Sequence, residues 1–327
     1  MLARQEPDIS DILAARERIK AFAVVTPLLE HPALNAKTGG RILLKAETMQ
    51  RVGAFKFRGA YNAVSQLEKL KYPGGVVACS SGNHAQGVAA AATLCGMRSL
   101  IVMPADAPKL KLKRTRDFGA EVVTFDRATE DRDAIAARIC AERVAAFVHP
   151  FDDFNVIAGQ GTVGLELMEQ AAAKGVTPDA VLVCCSGGGL TSGVGMAVKA
   201  ANAATKIYSV EPAGFDKLAR SLKSGRREQN ASMTGSICDA LMANAAGELT
   251  FAIAKRTLAG GLVVTDDEVR EAMRFAFLEL KLVVEPGGAV ALAAVLAGKI
   301  PVNGQTVVAV LSGGNVDPAD FASIINA

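Results

Sequence analysis

Two groups of residues in this chain could do chemistry together. The first is Lys56, set in Gly53-Ala54-Phe55-Lys56-Phe57-Arg58-Gly59 with a phenylalanine on either side and a glycine three residues away in each direction. An amine among apolar neighbours loses the solvation that favours its charged form, so its pKa falls toward nucleophilic use. The alternative is a lysine at a helix start whose stem lies on apolar surface while its ammonium reaches water. The second group is Ser186-Gly187-Gly188-Gly189-Leu190, after the apolar run 180–185 and before a small-residue helical pattern that starts at Ser192. Glycines allow successive backbone N–H groups to converge, and a following helix adds unpaired donors and its positive end. Such a loop can cradle a phosphate dianion. Taken alone it reads equally well as a plain strand-to-helix turn. No Gly-Lys-Ser/Thr follows and the G-x-G-x-x-G spacing is missing, so it is neither a Walker A loop nor a dinucleotide fingerprint.

Other polar residues are weaker candidates. His84 and His149 could be acid–base groups, but no Ser/His/Asp arrangement accompanies either. Asp152-Asp153 reads as a solvated loop. The basic stretch Lys109, Lys111, Lys113, Arg114 and Arg116 reads as a solvated helix face, because aromatic neighbours are sparse and the formal charge of the whole chain is only +3. That charge argues against a nucleic-acid or anionic-membrane partner. The six cysteines show no C-x-x-C spacing, and several lie in apolar runs, as expected of buried thiols in a reducing compartment. The charged N-terminus (Arg4, Glu6, Asp8) has no apolar signal core. The longest apolar runs, 87–97 and 287–298, are shorter than the ~20 residues of a membrane span. A cytoplasmic protein is expected.

The elements that must position these residues alternate along the chain. Helices are expected at 10–22 with Ser10 as N-cap, at 60–70, Asn83–Leu94, 108–118, 132–144, 156–174 and 288–297. Another starts at the capping box Thr265-Asp266-Asp267-Glu268 and runs through Leu280. Strands are expected at 41–47, Val76–Cys79, 99–103, Glu121–Phe125, 146–149, 180–185, 206–210 and Thr306–Leu311, and 225–247 reads as irregular. The chain of 327 residues therefore reads as an α/β protein with parallel sheets flanked by helices, in one large or two medium domains. Ligands in such folds bind beyond the C-terminal ends of strands. Three strands end there in small polar turns: Ser80-Ser81-Gly82-Asn83, the glycine loop, and Ser312-Gly313-Gly314-Asn315.

A phosphate cradle together with a buried lysine is what pyridoxal 5'-phosphate requires, with the loop gripping the phosphate and the lysine forming the Schiff base. In these segments the chain resembles the fold-type II (tryptophan synthase β-like) pyridoxal-phosphate enzymes, in the serine/threonine dehydratase (threonine ammonia-lyase) and serine racemase branch. The matching stretches are residues 53–60, 80–87, 158–162, the glycine loop, Val284-Glu285-Pro286 and 311–315, in the family's order. The resemblance implies a two-domain fold, with residues 1–50 plus 149–327 as the large cofactor-binding domain and 51–148 as the small mobile one. It implies that Lys56 carries the cofactor and removes the substrate Cα proton, that Phe55 packs near the ring and that Asn83 bonds its phenolic oxygen. Ser186, Gly187, Gly188, Gly189 and Leu190 would hold the phosphate, and Ser312 would face the pyridine nitrogen. Ser80, Ser81, Asn83 and His84 would surround the substrate carboxylate. A hydroxyl opposite the pyridine nitrogen leaves the ring largely unprotonated and a weaker electron sink, which suits loss of a β-hydroxyl. The implied activity is elimination from L-threonine, L-serine or a close β-hydroxy amino acid to a 2-oxo acid and ammonia, in a homodimer or tetramer.

Three departures from the family pattern bear on this expectation. Ser81 stands where many threonine dehydratases have alanine and racemases have a second acid–base serine, so amino-acid racemisation is the alternative activity. Counting without a gap from Glu211, Lys217 stands where many relatives place a metal-binding aspartate, and no bound metal is expected. Ending at Ala327, the chain is expected to lack the regulatory domain of allosteric threonine dehydratases. A non-catalytic ligand-binding protein of the same fold is a second alternative, disfavoured by the intact Lys56 and both serine/glycine turns. Residues 149–154 and 236–242 are expected to set the accepted side chain.

Overall fold

The computed structural model of the chain describes residues 6–107, 109–126 and 129–326. Its strands are β1 (Leu28–Glu30), β2 (Arg41–Ala46), β3 (Val76–Cys79), β4 (Ser99–Pro104), β5 (Glu121–Phe125), β6 (Ala146–Phe147), β7 (Ala180–Cys184), β8 (Lys206–Pro212), β9 (Gly260–Val264) and β10 (Thr306–Leu311). The helices in the first half are α1 (Ile9–Ile19), α2 (Pro32–Thr38), α3 (Lys56–Val64), α4 (Asn83–Leu94), α5 (Lys109–Asp117) and α6 (Arg132–Arg143). The second half adds α7 (Phe154–Ala173), α8 (Gly189–Ala201), α9 (Lys217–Ser224), α10 (Glu248–Thr257), α11 (Asp266–Leu278), α12 (Pro286–Leu296) and α13 (Pro318–Ile325).

Apolar runs with no period of two, such as VVAC in β3, AVLVC in β7 and TVVAVL in β10, become strands covered on both faces, and β3 and β7 are buried along their whole length. They assemble into a six-stranded sheet, order β1-β2-β10-β7-β8-β9, and a four-stranded sheet, order β5-β4-β3-β6. Only β1 pairs antiparallel among the described strands. Leu311 of β10 pairs with Ala46 of β2, and Ala309 with Leu182 of β7. Parallel pairing in that register brings Glu47, the glycine loop and Ser312 to one edge of the large sheet.

The structure shifts several expected boundaries. The helix expected at 60–70 starts at Lys56 and ends at Val64. Asp8, not Ser10, caps α1: the Ser10 N–H donates to Asp8 Oδ1 at 2.8 Å, and Asp11 completes a capping box. The strand expected at 146–149 is only Ala146–Phe147, and Pro108 of the expected helix 108–118 lies outside the described residues. The Thr265 capping box forms as expected. Elements β1, β9, α2, α9, α10 and α13 are additional to those expected. They are short, and β9 opens on two glycines, so their periodic signal is weak.

A cluster of four buried charges fixes α3. Arg58, fully enclosed, donates to Glu47 at 2.8 and 2.9 Å and to Glu166 at 2.6 and 2.8 Å. Lys45 reaches Glu166 at 2.7 Å and the Thr26 carbonyl at 2.6 Å. Two cations and two carboxylates cancel, so the cluster is neutral. It joins α3 to β2 and α7, and α3 lies so close to α7 that a Cβ on Gly159 would sit 2.7 Å from Gly59 Cα. Removing one member leaves the others desolvated and unpaired, which costs about 3–5 kcal/mol. Arg58→Leu should therefore lower the free energy of unfolding by that amount in urea titrations. Arg138→Leu, which breaks only the exposed pair with Glu142, should stay within about 0.5 kcal/mol of the parent.

Candidate active site

Lys56 is the first residue of α3, and the chain reaches it through a strapped turn. Val52 and Gly53 both have positive φ, 60° and 73°. For a β-branched residue this is a strained conformation that neighbouring structure must hold. The holding comes from the turn after β10: Gly314 N–H donates to Gly53 O at 2.9 Å, Phe55 N–H to Ser312 O at 3.0 Å, and Ala54 forms an antiparallel bridge with Gly313. The Lys56 ammonium donates to Pro150 O at 2.6 Å and lies 5.3 Å from the Phe55 ring centre. The side chain keeps some exposure along its stem, but burial around the amine pushes its pKa down to about 8.

The glycine loop leads from β7 into α8. Gly188 has φ +99°, and α8 starts at Gly189, so the first N–H groups of a buried 13-residue helix have no partner within it. Side chains are excluded around the loop. A Cβ on Gly187 would fall 2.2 Å from the Phe151 ring, and one on Gly188 would meet Thr250 at 2.9 Å. The loop is braced from behind by Thr250 Oγ1 and Gly247 N–H, which donate to Gly187 O at 2.7 and 3.1 Å. Asp152, expected to be solvated, instead accepts from Glu248 N–H and Thr250 N–H at the start of α10, while Asp153 caps α7. Ser186 lies half-buried, its Oγ accepting from Ala243 N–H at 3.4 Å, and Leu190 is buried in the first turn of α8.

The turn after β3 supplies the second helix start. Ser80, Ser81 and Asn83 are half-buried there, and Ser80 Oγ accepts from Gly82 N–H at 3.2 Å. His84 is buried; its Nε2 donates to Val148 O at 3.0 Å, since a carbonyl can only accept, and its Nδ1 has no partner. Burial, then the nearby Lys56 charge, push its pKa down to about 3, so the ring is neutral. His149 has a bracing role: its Nδ1 accepts from Asp152 N–H at 2.8 Å and holds the loop. Two residues without an assigned role in the sequence join the site. Glu285 accepts from Asn83 Nδ2 at 2.5 Å, with burial pushing its carboxyl up to about 7. Cys184, whose thiol burial pushes up to about 11, hydrogen-bonds Ser312. Nothing in residue type marks Glu285, but its place just before the proline that opens α12 is a visible signal.

Glu211 of β8 and Lys217, the first residue of α9, are fully buried together at 3.0 Å. The Lys217 ammonium also donates to the carbonyls of Phe215 and Leu241, both at 3.3 Å, and the carboxylate takes the N–H groups of Leu218 and Ala219.

The chain that carries this depressed lysine and this glycine loop at a helix start matches a family profile described as "Pyridoxal-phosphate dependent enzyme" over residues 19–313. The chain belongs to this family. It is 41% identical over 320 residues to the L-threo-3-hydroxyaspartate ammonia-lyase of Saccharomyces cerevisiae, covering 98% of this chain and 97% of that one. Its backbone superposes on a T.th. threonine deaminase with TM-score 0.89 at 44% identity, covering 95% of this chain and 99% of that one. On maize serine racemase it superposes with TM-score 0.92 at 35% identity, covering 99% and 98%. The fold is thus that of the fold-type II pyridoxal-phosphate enzymes, and pyridoxal phosphate is the cofactor.

The residues present fit it. The loop at Gly187–Gly188 packs so closely on Phe151 and Thr250 that only glycine fits, and the N–H groups at the uncapped start of α8 suit a phosphate dianion. Gly188→Asp would drive a Cβ against Thr250 at a φ that L residues avoid, and so displace the loop and its N–H groups. Pyridoxal-phosphate affinity of the apoprotein, followed by fluorescence titration, should fall more than about a hundredfold, ~2.7 kcal/mol, with the far-ultraviolet circular dichroism preserved. Unchanged affinity would show that the loop does not hold the phosphate.

Proposed function

We propose that this chain is an ammonia-lyase that eliminates the β-hydroxyl of L-threonine, L-serine or a close β-hydroxy amino acid, giving a 2-oxo acid and ammonia. What supports the proposal is that burial pushes the pKa of the Lys56 amine down to about 8 and that Ser312, after β10, would offer the ring nitrogen a hydroxyl rather than a carboxylate. Relatives named as ammonia-lyases for hydroxyaspartate and threonine support it.

When bound, pyridoxal phosphate withdraws electrons from the substrate's Cα and so acidifies its proton. Lys56 would hold the cofactor through its amine, and the same nitrogen, neutral when free, would take that proton. Ser186–Leu190 hold the phosphate through backbone N–H groups, and the start of α8 adds its dipole. Phe55 would pack against the ring and Ser312 would lie by its nitrogen. The hydroxyls of Ser80 and Ser81, with the N–H groups of Asn83 and His84 at the start of α4, hold the substrate carboxylate. A carboxylate needs donors, and His84's partnerless Nδ1 is an acceptor, so His84 acts there through its backbone. Closure of 51–148 over the remainder excludes water. Lys217 occupies the oxygen nest beside Glu211 in place of a divalent cation. A cytoplasmic location and assembly into a dimer or tetramer complete the reading.

Racemisation is the second reading, and Ser81 is the observation in its favour. Elimination needs one base, on the Lys56 side. Inversion needs a second group to return the proton from the opposite face, and Ser81 is the hydroxyl available in the adjoining turn. Ser81→Ala should leave elimination from the L-substrate within about tenfold, ~1.4 kcal/mol in barrier, and abolish Cα inversion and elimination from the D-enantiomer. A panel of β-hydroxy amino acids in both configurations, assayed for 2-oxo acid and for change of configuration, reads this directly. Mainly D-amino acid from wild type, lost in Ser81→Ala, would replace the lyase by a racemase.

A further inference from the structure

The carboxamides of Asn83 and Asn315 are held in a chain that fixes which way each points. Asn315 commits every polar atom of its side chain. Its Nδ2 donates to Val52 O at 2.7 Å and to Asn83 Oδ1 at 2.8 Å, and its Oδ1 accepts from Arg114 of α5 at 3.1 Å. Asn83 then has its oxygen occupied by Asn315 and one N–H occupied by Glu285 Oε1 at 2.5 Å. A carboxamide carries two N–H donors, so one N–H of Asn83 is left uncommitted. Turning the Asn83 amide over would set its NH2 against that of Asn315 and its oxygen against the Glu285 carboxyl. The first contact is repulsive, and the second gives up the bond that Asn83 Nδ2 makes to Glu285 Oε1. Glu285 is itself closely confined, because its N–H donates to Gly313 O at 3.0 Å and a Cβ on Gly313 would sit 2.2 Å from its Oε1.

We propose that Asn315 and Glu285 are positioning residues that hold the Asn83 carboxamide with its one uncommitted N–H available to the phenolic oxygen of bound pyridoxal phosphate. The inference rests on the cofactor site and on the role of Asn83 given above. Asn315 does a second job with the same nitrogen. Val52 is strained at φ 60° four residues before Lys56, and Asn315 pins its carbonyl. One carboxamide thus sets both the turn that presents the cofactor-bearing lysine and the amide that meets the cofactor's ring oxygen. Arg114 brings in the four-stranded-sheet side of the molecule. The basic stretch on α5 is accordingly more than a solvated face, since Lys111 also crosses to Asp239 at 2.6 Å.

The test compares holoenzyme spectra at one pH and cofactor dissociation constants, titrated with pyridoxal phosphate, for Asn83→Ala, Glu285→Leu, Glu285→Gln, Asn315→Ala and the double variant Asn83→Ala/Glu285→Leu. Asn83→Ala and Glu285→Leu should shift the balance between the bands of the ring-oxygen-protonated and ring-oxygen-ionised cofactor in the same direction. Each should weaken cofactor binding about tenfold, the size of one orienting hydrogen bond. Glu285→Gln keeps an accepting oxygen and should restore the wild-type spectrum, a rescue that a general packing role would not require. The double variant should be no worse than Asn83→Ala alone, because both act through one amide. A folded Glu285→Leu with the wild-type spectrum and affinity, or additive effects in the double variant, would overturn the proposal. If Glu285→Leu does not fold, Asn315→Ala against Asn83→Ala gives the same comparison, with an unshifted spectrum again overturning it. A wild-type protein without any visible band from Lys56-bound cofactor would instead overturn the cofactor site, and the relay with it.

Discussion

The neutral cluster of Arg58, Glu47, Glu166 and Lys45 is the constraint on which the site depends. Arg58 lies two residues beyond Lys56 on α3, and its guanidinium is gripped by Glu47, in the turn just after β2, and by Glu166 of α7. A planar fork with donors in fixed directions can hold two carboxylates at once, which a lysine could not. The cluster therefore sets the position and rotation of α3 relative to the large sheet. Lys56 inherits that placement, and the strained turn before it is tied to the loop after β10 from the other side.

Around Lys56 the structure favours uncharged groups. Burial depresses the lysine, keeps His84 neutral and raises Cys184 and Glu285. On the proposed reading, the charge of a cofactor phosphate would be met by oriented N–H groups and a helix dipole rather than by a cation. Dipoles fixed by the backbone need no reorganisation during a reaction, which is the condition for electrostatic catalysis in a dry site. Farther off, the Lys217–Glu211 pair brings a built-in cation to the end of β8, satisfying oxygens from Phe215 and Leu241.

Much of this is legible in the chain because strong local signals carry it. Continuous apolar runs announce the parallel strands, glycine at a strand end announces the turn from β7 into α8, and phenylalanines around Lys56 announce the burial of its amine. What stays hidden depends on distant neighbours. Glu285 and Asn315 sit in recognisable motifs, but their link to Asn83 arises only when the turn after β3 meets the turn after β10. Asp152 looks like a solvated acid because nothing local shows that the start of α10 lies against it. The Arg58 cluster is invisible for the same reason: its members come from positions 45, 47, 58 and 166. The helix expected at 60–70 starts earlier because apolar periodicity does not mark a first turn that is held by glycine contacts to α7.

The central claim is that Lys56 is the residue that carries pyridoxal phosphate. Reduction of the holoenzyme with borohydride would fix the cofactor to whichever amine holds it, and peptide mapping by mass spectrometry would locate it. The account predicts a single pyridoxyl group on Lys56 and loss of both the label and the visible absorbance in Lys56→Ala. A label on another lysine, or a visible band that survives in Lys56→Ala, would contradict it.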